Sequence, residues 1–326
     1  MQIYYQIIEQ LDLAANQYIV EGSNYARFCL ILTDNAIELM LQEEASKIAS
    51  LDESGGWIRP PQYSKEARKK ATNGNFHDKN DFCLEAGKIS TEEHDFIKIA
   101  HKFRNDLYHS GVVHQNFCKT LAWYYHDLAC QLLPRLSGFG FSWGSNDEIS
   151  ETIKSYTTEF GLNFENPQKD LDSVSRKLSL LKLQQCEPLP KVLSQSILKD
   201  FESTQYSLDF LVSDNFSGYN QSKIIYELQL IDCLQNTDLS KIKTPKDWVK
   251  HREVYEQKWT PKYKRNPIPR WNKRAIQIEK LTDNSRALNK FDQLRIDSRW
   301  FSKLVGEAAI ALDGEIQMQF DAYRGK

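Results

Sequence analysis

Residues 91–111 read TEEHDFIKIAHKFRNDLYHSG, and this stretch shows most clearly how the chain folds. Thr91 with Glu92 and Glu93 beside it suits the start of a helix, because acidic side chains favour the positive end of the helix dipole. Apolar residues then recur at helical spacing at Phe96, Ile99, Phe103 and Leu107. Gly111 is well placed to end the helix. The stretch therefore predicts one long amphipathic helix.

Helical spacing also dominates the rest of the chain. Before residue 137, further helical patterns cover about residues 2–20, 24–50, 65–70 and 112–136. After residue 145 the patterns are shorter and cover about residues 148–159, 170–185, 190–202, 220–235, 245–259 and 272–321. Residues 204–219 are as compatible with a short strand as with a helix. The sequence therefore predicts an all-α fold.

The length of the chain predicts two domains. Its 326 residues exceed the ~100–200 residues of a common domain. The stretch SGFGFSWGS, residues 137–145, holds three glycines and is the best boundary, which predicts domains of residues 1–140 and 146–326. No apolar run approaches the ~18 residues of a membrane span, and residues 1–5 show no signal-peptide pattern. We therefore expect a cytoplasmic protein with no membrane contact.

The end of the predicted helix carries residues suited to RNA cleavage. Arg104, Asn105 and His109 form an R-N-x₃-H arrangement. Cleavage of RNA without a metal needs a base near neutral pKa for the 2′-hydroxyl and a cation for the charge that develops on the phosphate. Histidine has the appropriate pKa, and the planar fork of arginine matches phosphate oxygens. Arg104 and His109 are thus candidate catalytic residues, and no cofactor or metal is predicted.

Helix geometry adds a condition to this site. Residues five apart on a helix point about 140° away from each other, so Arg104 and His109 do not share a face, whereas Asn105 and His109 do. Either the helix loosens before Gly111, or the same segment of a second chain completes the site across a two-fold axis. We favour the homodimer.

The motif, together with the order of helices around it, resembles the HEPN family. The family signature is R-x₄₋₆-H with a polar residue after Arg, and residues 104–109 here read RNDLYH. The resemblance covers about residues 1–140. It implies a helical bundle that dimerises through the motif helices and cleaves RNA without metal, with Arg104 and His109 catalytic and Asn105 orienting the site.

The resemblance also implies partners and a supporting acid. Family members often use an acidic or polar residue from the second helix, for which Asp34 and Glu38 are the candidates here. The setting it implies is a toxin or anti-phage effector acting on tRNA or another structured RNA, with an antitoxin or second defence protein as partner. The alternative is a catalytically silent dimerisation or nucleic-acid-binding module, since the family also contains inactive adaptors.

Other histidines do not predict a metal site. His94, His101 and His109 are separated by steps of seven and eight residues, which places them ~10–12 Å apart along a helix. One ion could not bridge that distance.

The second half of the chain carries a basic segment. Residues 241–280 hold 13 Lys and Arg against 4 Asp and Glu. Residues 262–274 read KYKRNPIPRWNKR, which predicts an exposed loop that binds nucleic acid, with an acidic protein as the rival partner and duplex DNA as a further ligand. The spacing of Trp248, Tyr255 and Trp259 predicts instead the buried stripe of one helix. The candidate RNA-binding residues are Lys102, Lys262, Lys264, Arg265, Arg270, Lys273 and Arg274.

Overall fold

The computed structural model describes residues 2–20, 22–55, 60–110, 115–136, 149–157, 167–180, 186–213, 218–237 and 244–325. Of residues 23, 109, 110, 115, 116, 167, 168 and 180 it describes the backbone alone. Within these ranges every regular element is an α-helix, so the predicted all-α fold is confirmed. None of the described helices is long and apolar enough to cross a membrane.

Thirteen helices lie in the described ranges. The first seven are α1 Gln2–Ile19, α2 Ser23–Ser54, α3 Lys65–Asn73, α4 Phe76–Glu85, α5 Thr91–Ser110, α6 Gln115–Leu132 and α7 Glu151–Tyr156. The other six are α8 Pro167–Leu180, α9 Leu189–Val212, α10 Gln221–Gln235, α11 Pro245–Glu256, α12 Ile268–Glu279 and α13 Asn284–Tyr323.

The chain forms two compact units. Unit 1 comprises Met1–Val192 and Leu281–Asn289, and unit 2 comprises Leu193–Lys280 and Lys290–Lys326. This division differs from the predicted domains of residues 1–140 and 146–326, because α7 packs against α1 and α8 packs against α1 and α6, so that both belong to the first bundle. The predicted boundary at residues 137–145 lies outside the described residues, which end at residue 136 and resume at residue 149.

Helix α2 is the central element of unit 1. It packs against five other helices, α1, α3, α4, α5 and α6. Its apolar side chains are accordingly buried on more than one face, as at Cys29, Leu30, Ala36, Ile37, Met40 and Leu41. Because α2 is enclosed on several sides, a polar side chain on it can be carried into the middle of the bundle.

A short link of two residues, Gly74 and Asn75, joins α3 to α4. The side chain of Asn75 accepts a hydrogen bond from the backbone N–H of Asp78 at 3.0 Å, and the Asp78 carboxylate accepts one from the N–H of Asn75 at 3.1 Å. This reciprocal cap starts α4, a helix that the apolar spacing did not predict. A Cβ atom at Gly74 would lie 2.3 Å from the carbonyl oxygen of Lys70 and 2.6 Å from Cβ of Asp78. Only glycine fits at this position.

Unit 2 is organised around an aromatic cluster. Phe201, Trp271 and Phe301 are buried, and their rings lie 5.6 Å apart for the pairs Phe201–Trp271 and Trp271–Phe301. Tyr263 is half-buried and contacts Trp271, with ring centroids 5.7 Å apart. These rings come from α9, α12, α13 and the segment before α12, and they hold these elements together.

Three boundaries in the second half differ from the sequence prediction. The stretch that could have been a strand is helical up to Val212, where α9 ends, while residues 214–217 lie outside the described part. Helix α11 ends at Glu256, three residues before Trp259. The predicted helix over residues 272–321 is two helices, α12 and α13.

Candidate active site

A buried carboxylate lies at the centre of the predicted site. Asp34, on α2, is 0 % exposed, and its Oδ1 accepts a hydrogen bond of 2.8 Å from the hydroxyl of Tyr125 on α6. Its Oδ2 lies 2.9 Å from Nδ1 of His101 and 3.2 Å from Nε of Arg104, both on α5. Three helices thus meet at one carboxylate, whose buried charge is offset by a guanidinium and by hydrogen-bond donors.

The guanidinium of Arg104 is held from three sides. Its Nη2 donates to Oδ1 of Asn35 at 2.7 Å, and its Nη1 donates to Oδ1 of Asn105 at 2.9 Å. Asp34 faces its Nε, and the side chain is 21 % exposed. A cation fixed in this way needs little reorganisation when an anionic group approaches its exposed edge.

His101 belongs to this cluster, although the sequence did not point to it as a site residue. Its ring stacks on that of Phe76, with centroids 3.8 Å apart and planes 9° apart, and His77 meets it edge-on at 5.7 Å. The bond to the Asp34 carboxylate requires a proton on Nδ1, which leaves Nε2 as the other polar atom of the ring. The signal in the sequence was the i, i+3 spacing of His101 and Arg104, which places both on one helix face.

The structure brings three of the five predicted catalytic residues together. Arg104 and Asn105 bond to each other, and Asp34 lies against Arg104 as expected for an acid from the second helix. Glu38 is half-buried one turn further along α2, where its charge contributes to raising the pKa of Tyr125. His109 lies in the last turn of α5, and its side chain is outside the described part.

The surroundings shift the pKa of two neighbouring groups. Burial, then the charge of Asp34 and the hydrogen bond to it, raises the pKa of Tyr125 well above 10, so its hydroxyl stays a donor to the carboxylate. Burial, followed by the nearby His101 and Lys98, lowers the pKa of His77 below its ordinary 6.5. His77 therefore loses its proton at a lower pH than a histidine in water.

The outer edge of the site carries a second arginine and exposed aromatic rings. Arg27, on α2, donates from Nη2 to the carbonyl oxygen of Leu107 at 2.9 Å, near the C-terminal end of α5, where a cation favours the helix dipole. Phe28, the next residue, is 50 % exposed, and Tyr108 on α5 is 67 % exposed. Lys102, a predicted RNA-binding residue, is also exposed on α5. The start of α2 and the end of α5 thus present cations and aromatic surface together.

The predicted basic loop in unit 2 is shorter than expected. Helix α12 begins at Ile268, so only the residues before it are loop, and Arg270, Lys273 and Arg274 are helical. Arg274 is only half-buried, and its Nη1 pairs with Oδ2 of Asp297 at 2.7 Å. The remaining predicted RNA-binding side chains of this region are exposed: Lys262, Lys264, Arg265, Arg270 and Lys273.

The aromatic residues of the basic segment behave opposite to the prediction. Trp271 is buried, and the ring of Tyr263 packs against Trp271 and Phe301, so both rings interleaved with the densest basic residues are engaged in the cluster of unit 2. Trp248, Tyr255 and Trp259, predicted as a buried stripe, are only half-buried. That prediction was wrong because α11 buries none of its residues and ends before Trp259.

The other histidines of the motif helix have separate surroundings. His94 lies between two carboxylates, with Nε2 2.7 Å from Asp81 and Nδ1 3.1 Å from Asp95, while His101 faces Asp34. Among the side chains that the structure describes, no group of three or more His, Cys, Asp or Glu residues is arranged as metal ligands.

Comparison of the chain with protein-family models, with curated proteins and with solved structures finds no match.

Proposed function

We propose that unit 1 is a HEPN-type endoribonuclease that cleaves RNA without a metal ion. The observation that supports it most is the guanidinium of Arg104, fixed near the surface by Asp34, Asn35 and Asn105 five residues before His109. A fixed, partly exposed guanidinium is suited to a phosphate that gains charge during reaction.

In the proposed reaction His109 takes the proton of the ribose 2′-hydroxyl. The O2′ atom then bonds to phosphorus, the bond from phosphorus to the 5′ oxygen breaks, and that oxygen takes a proton from solvent. The products are a 2′,3′-cyclic phosphate and a 5′-hydroxyl. Arg104 offsets the charge on the phosphate oxygens during the transfer, and Asn105 orients the guanidinium through its 2.9 Å hydrogen bond.

The proposed active form is a homodimer through α5. Positions 104 and 109 are about 140° apart around one helix, so a site containing both residues needs the same segment of a second chain. The exposed rings of Phe28 and Tyr108 beside the cluster supply apolar surface for such a contact. The exposed cations of unit 2 supply long-range attraction for RNA.

A second candidate is favoured by the same geometry. The Arg104 guanidinium has a partner on each side, as a purely structural cation would. The chain would then be a catalytically silent module that dimerises and binds nucleic acid. In either case the resemblance points to a toxin or anti-phage system, with an antitoxin or second defence protein as partner.

The test is cleavage of tRNA and total RNA by the purified full chain in EDTA. Arg104→Ala and His109→Ala are compared with the wild type, and Arg176→Ala, an exposed arginine on α8, is the matched control. We expect the wild type and the control to cleave and the two site variants to lose at least ~100-fold in rate.

Three results would contradict the proposed endoribonuclease activity. Equal cleavage by all four proteins would indicate a contaminating nuclease, and strict dependence on Mg²⁺ would exclude the proposed chemistry. No cleavage by the wild type, in a protein that still dimerises, would favour the silent module.

A further inference from the structure

A cavity in unit 2 lies where α11 ends. It has a volume of about 270 Å³ and is lined by His251, Val254, Tyr255, Lys258 and Trp259. Three of these five residues carry aromatic rings, and none carries a carboxylate. The cavity is therefore apolar and aromatic in its walls and positive in its charge.

Contacts behind the walls hold the rings in place. Trp259 meets Tyr226 of α10 edge-on, with ring centroids 5.4 Å apart, and its backbone N–H donates to the carbonyl of Tyr255 at 3.1 Å. Burial, followed by the neighbouring Cys233 on α10, raises the pKa of Tyr255. Nε2 of His251 lies 3.0 Å from the hydroxyl of Thr237. These rings are thus positioned before any ligand arrives, which lowers the entropic cost of binding.

The charge around the cavity favours an anionic ligand. Two of the four acidic residues in segment 241–280 are already engaged, since Asp247 caps the start of α11 and Glu256 pairs with Arg252 at 3.1 Å. Lys258 lies in the cavity wall, and the exposed Lys262 and Lys264 follow closely along the chain. A ligand that fits has a flat aromatic group and negative charge on both sides of it.

We propose that this cavity binds an unpaired nucleobase of a single RNA strand, with the phosphates on either side of the base contacting Lys258 and the lysines that follow. A single strand supplies both the stacking surface and the charge, whereas a duplex keeps its bases paired and out of reach. The choice of RNA over DNA rests on the proposed function, but binding at this cavity does not depend on cleavage.

The test measures binding in the Arg104→Ala background, so that the probe is not cut. The probes are a fluorescein-labelled ten-nucleotide RNA without secondary structure and an abasic strand of the same length and charge, read by fluorescence anisotropy. Trp259→Ala is expected to raise the Kd for the RNA by about fivefold to more than a hundredfold, the usual range for one stacked base. The Kd for the abasic strand is expected to stay unchanged.

Two further variants keep the result interpretable. Trp248→Ala, on α11 and outside the cavity lining, is the matched control and is expected to leave both Kd values unchanged. Trp259→Phe keeps a ring in the cavity and is expected to restore most of the affinity, which separates lost stacking from lost folding. Lys258→Glu is expected to raise the Kd for both the RNA and the abasic strand.

The proposal fails if the Arg104→Ala protein with an intact cavity does not bind the RNA. It also fails if adding Trp259→Ala leaves the Kd for the RNA unchanged, or raises the Kd for the RNA and for the abasic strand equally. Its failure is distinct from that of the proposed function. Loss of RNA cleavage with retained, Trp259-dependent binding overturns the ribonuclease alone, and cleavage without a Trp259 effect overturns the cavity alone.

Discussion

Cationic side chains in the two units differ in what surrounds them. In unit 1 the guanidinium of Arg104 has a buried carboxylate and two amides as partners, and little of it is exposed. In unit 2 Lys264, Arg265 and Arg270 are exposed on a loop and a helix surface. The first arrangement fixes one charge in one orientation, which suits a reacting group. The second gives a field of adaptable charges, which suits attraction of a long anion.

The aromatic rings of unit 2 show the same contrast. Trp271 is buried among Phe201, Tyr263 and Phe301, so its contribution is packing. Trp259 lies only a dozen residues earlier and lines an open cavity. Residue type alone does not separate the two roles, because each ring stands in a basic stretch of similar composition.

The largest effect is expected from removing the Asp34 carboxylate, which tests whether this carboxylate holds Arg104 and His101 together. Asp34→Ala leaves Arg104 and His101 without their shared partner inside the bundle. We expect the free energy of unfolding of unit 1 to fall by about 3–5 kcal/mol, the usual cost of breaking a buried ion pair. Urea unfolding followed by circular dichroism measures it. Asp313→Ala, an exposed aspartate on α13, is the control and should change stability by less than about 0.5 kcal/mol. A small loss at Asp34 would mean that the cluster tolerates its absence.

The contrast between the two tryptophans predicts effects on stability in one case and on binding in the other. Trp271→Ala removes a buried ring from the aromatic cluster, and we expect unit 2 to lose about 3–5 kcal/mol of unfolding free energy. Trp259→Ala should cost clearly less, since its ring is only half-buried. Denaturant titration of both variants makes the comparison, and equal losses would show that Trp259 is part of the core.

The smallest expected effect concerns the exposed cations. Arg270→Ala should leave the unfolding free energy within about 0.5 kcal/mol of the wild type but reduce the slope of log K against log salt for RNA binding by about 1, the value for one phosphate contact. Arg274→Ala is the matched comparison, because its guanidinium already pairs with Asp297 at 2.7 Å. We expect a smaller change in slope there. Equal slopes for both variants would show that pairing does not decide which arginine meets the strand.

Helix α5 and its neighbours were predictable because their apolar residues recur at helical spacing. Helix α4 was missed since its core face includes Lys79 and Asn80, polar residues that interrupt the apolar pattern yet are buried in the bundle. Burial of such residues is decided by contacts across the bundle. The side-chain amide of Asn80, for example, donates to the carbonyl of His94 at 3.1 Å, fourteen positions away in the chain.

Only the part of the candidate site that is close together in the chain, or that the resemblance implies, could be predicted from the sequence. Arg104 and Asn105 are adjacent in the chain, and Asp34 could be expected from a resemblance that places an acid on the second helix. His101 and Tyr125 reach Asp34 from two different helices, 67 and 91 residues away, and no local pattern encodes that meeting. The burial of Trp271 and the partial exposure of Trp259 likewise depend on tertiary packing in unit 2.

Gly74 gives the cluster a constraint at a distance. No side chain fits beside the Lys70 carbonyl, and two residues later Phe76 supplies the ring on which His101 stacks. Any substitution at Gly74 must therefore shift the start of α4 and the ring that backs His101. A distant relative with the same cluster should then keep a glycine two positions before an aromatic residue, ahead of a His-x-x-Arg-Asn run and after an Asp-Asn pair. That ordered set of positions is a fingerprint by which ancestry could be recognised where overall similarity has faded.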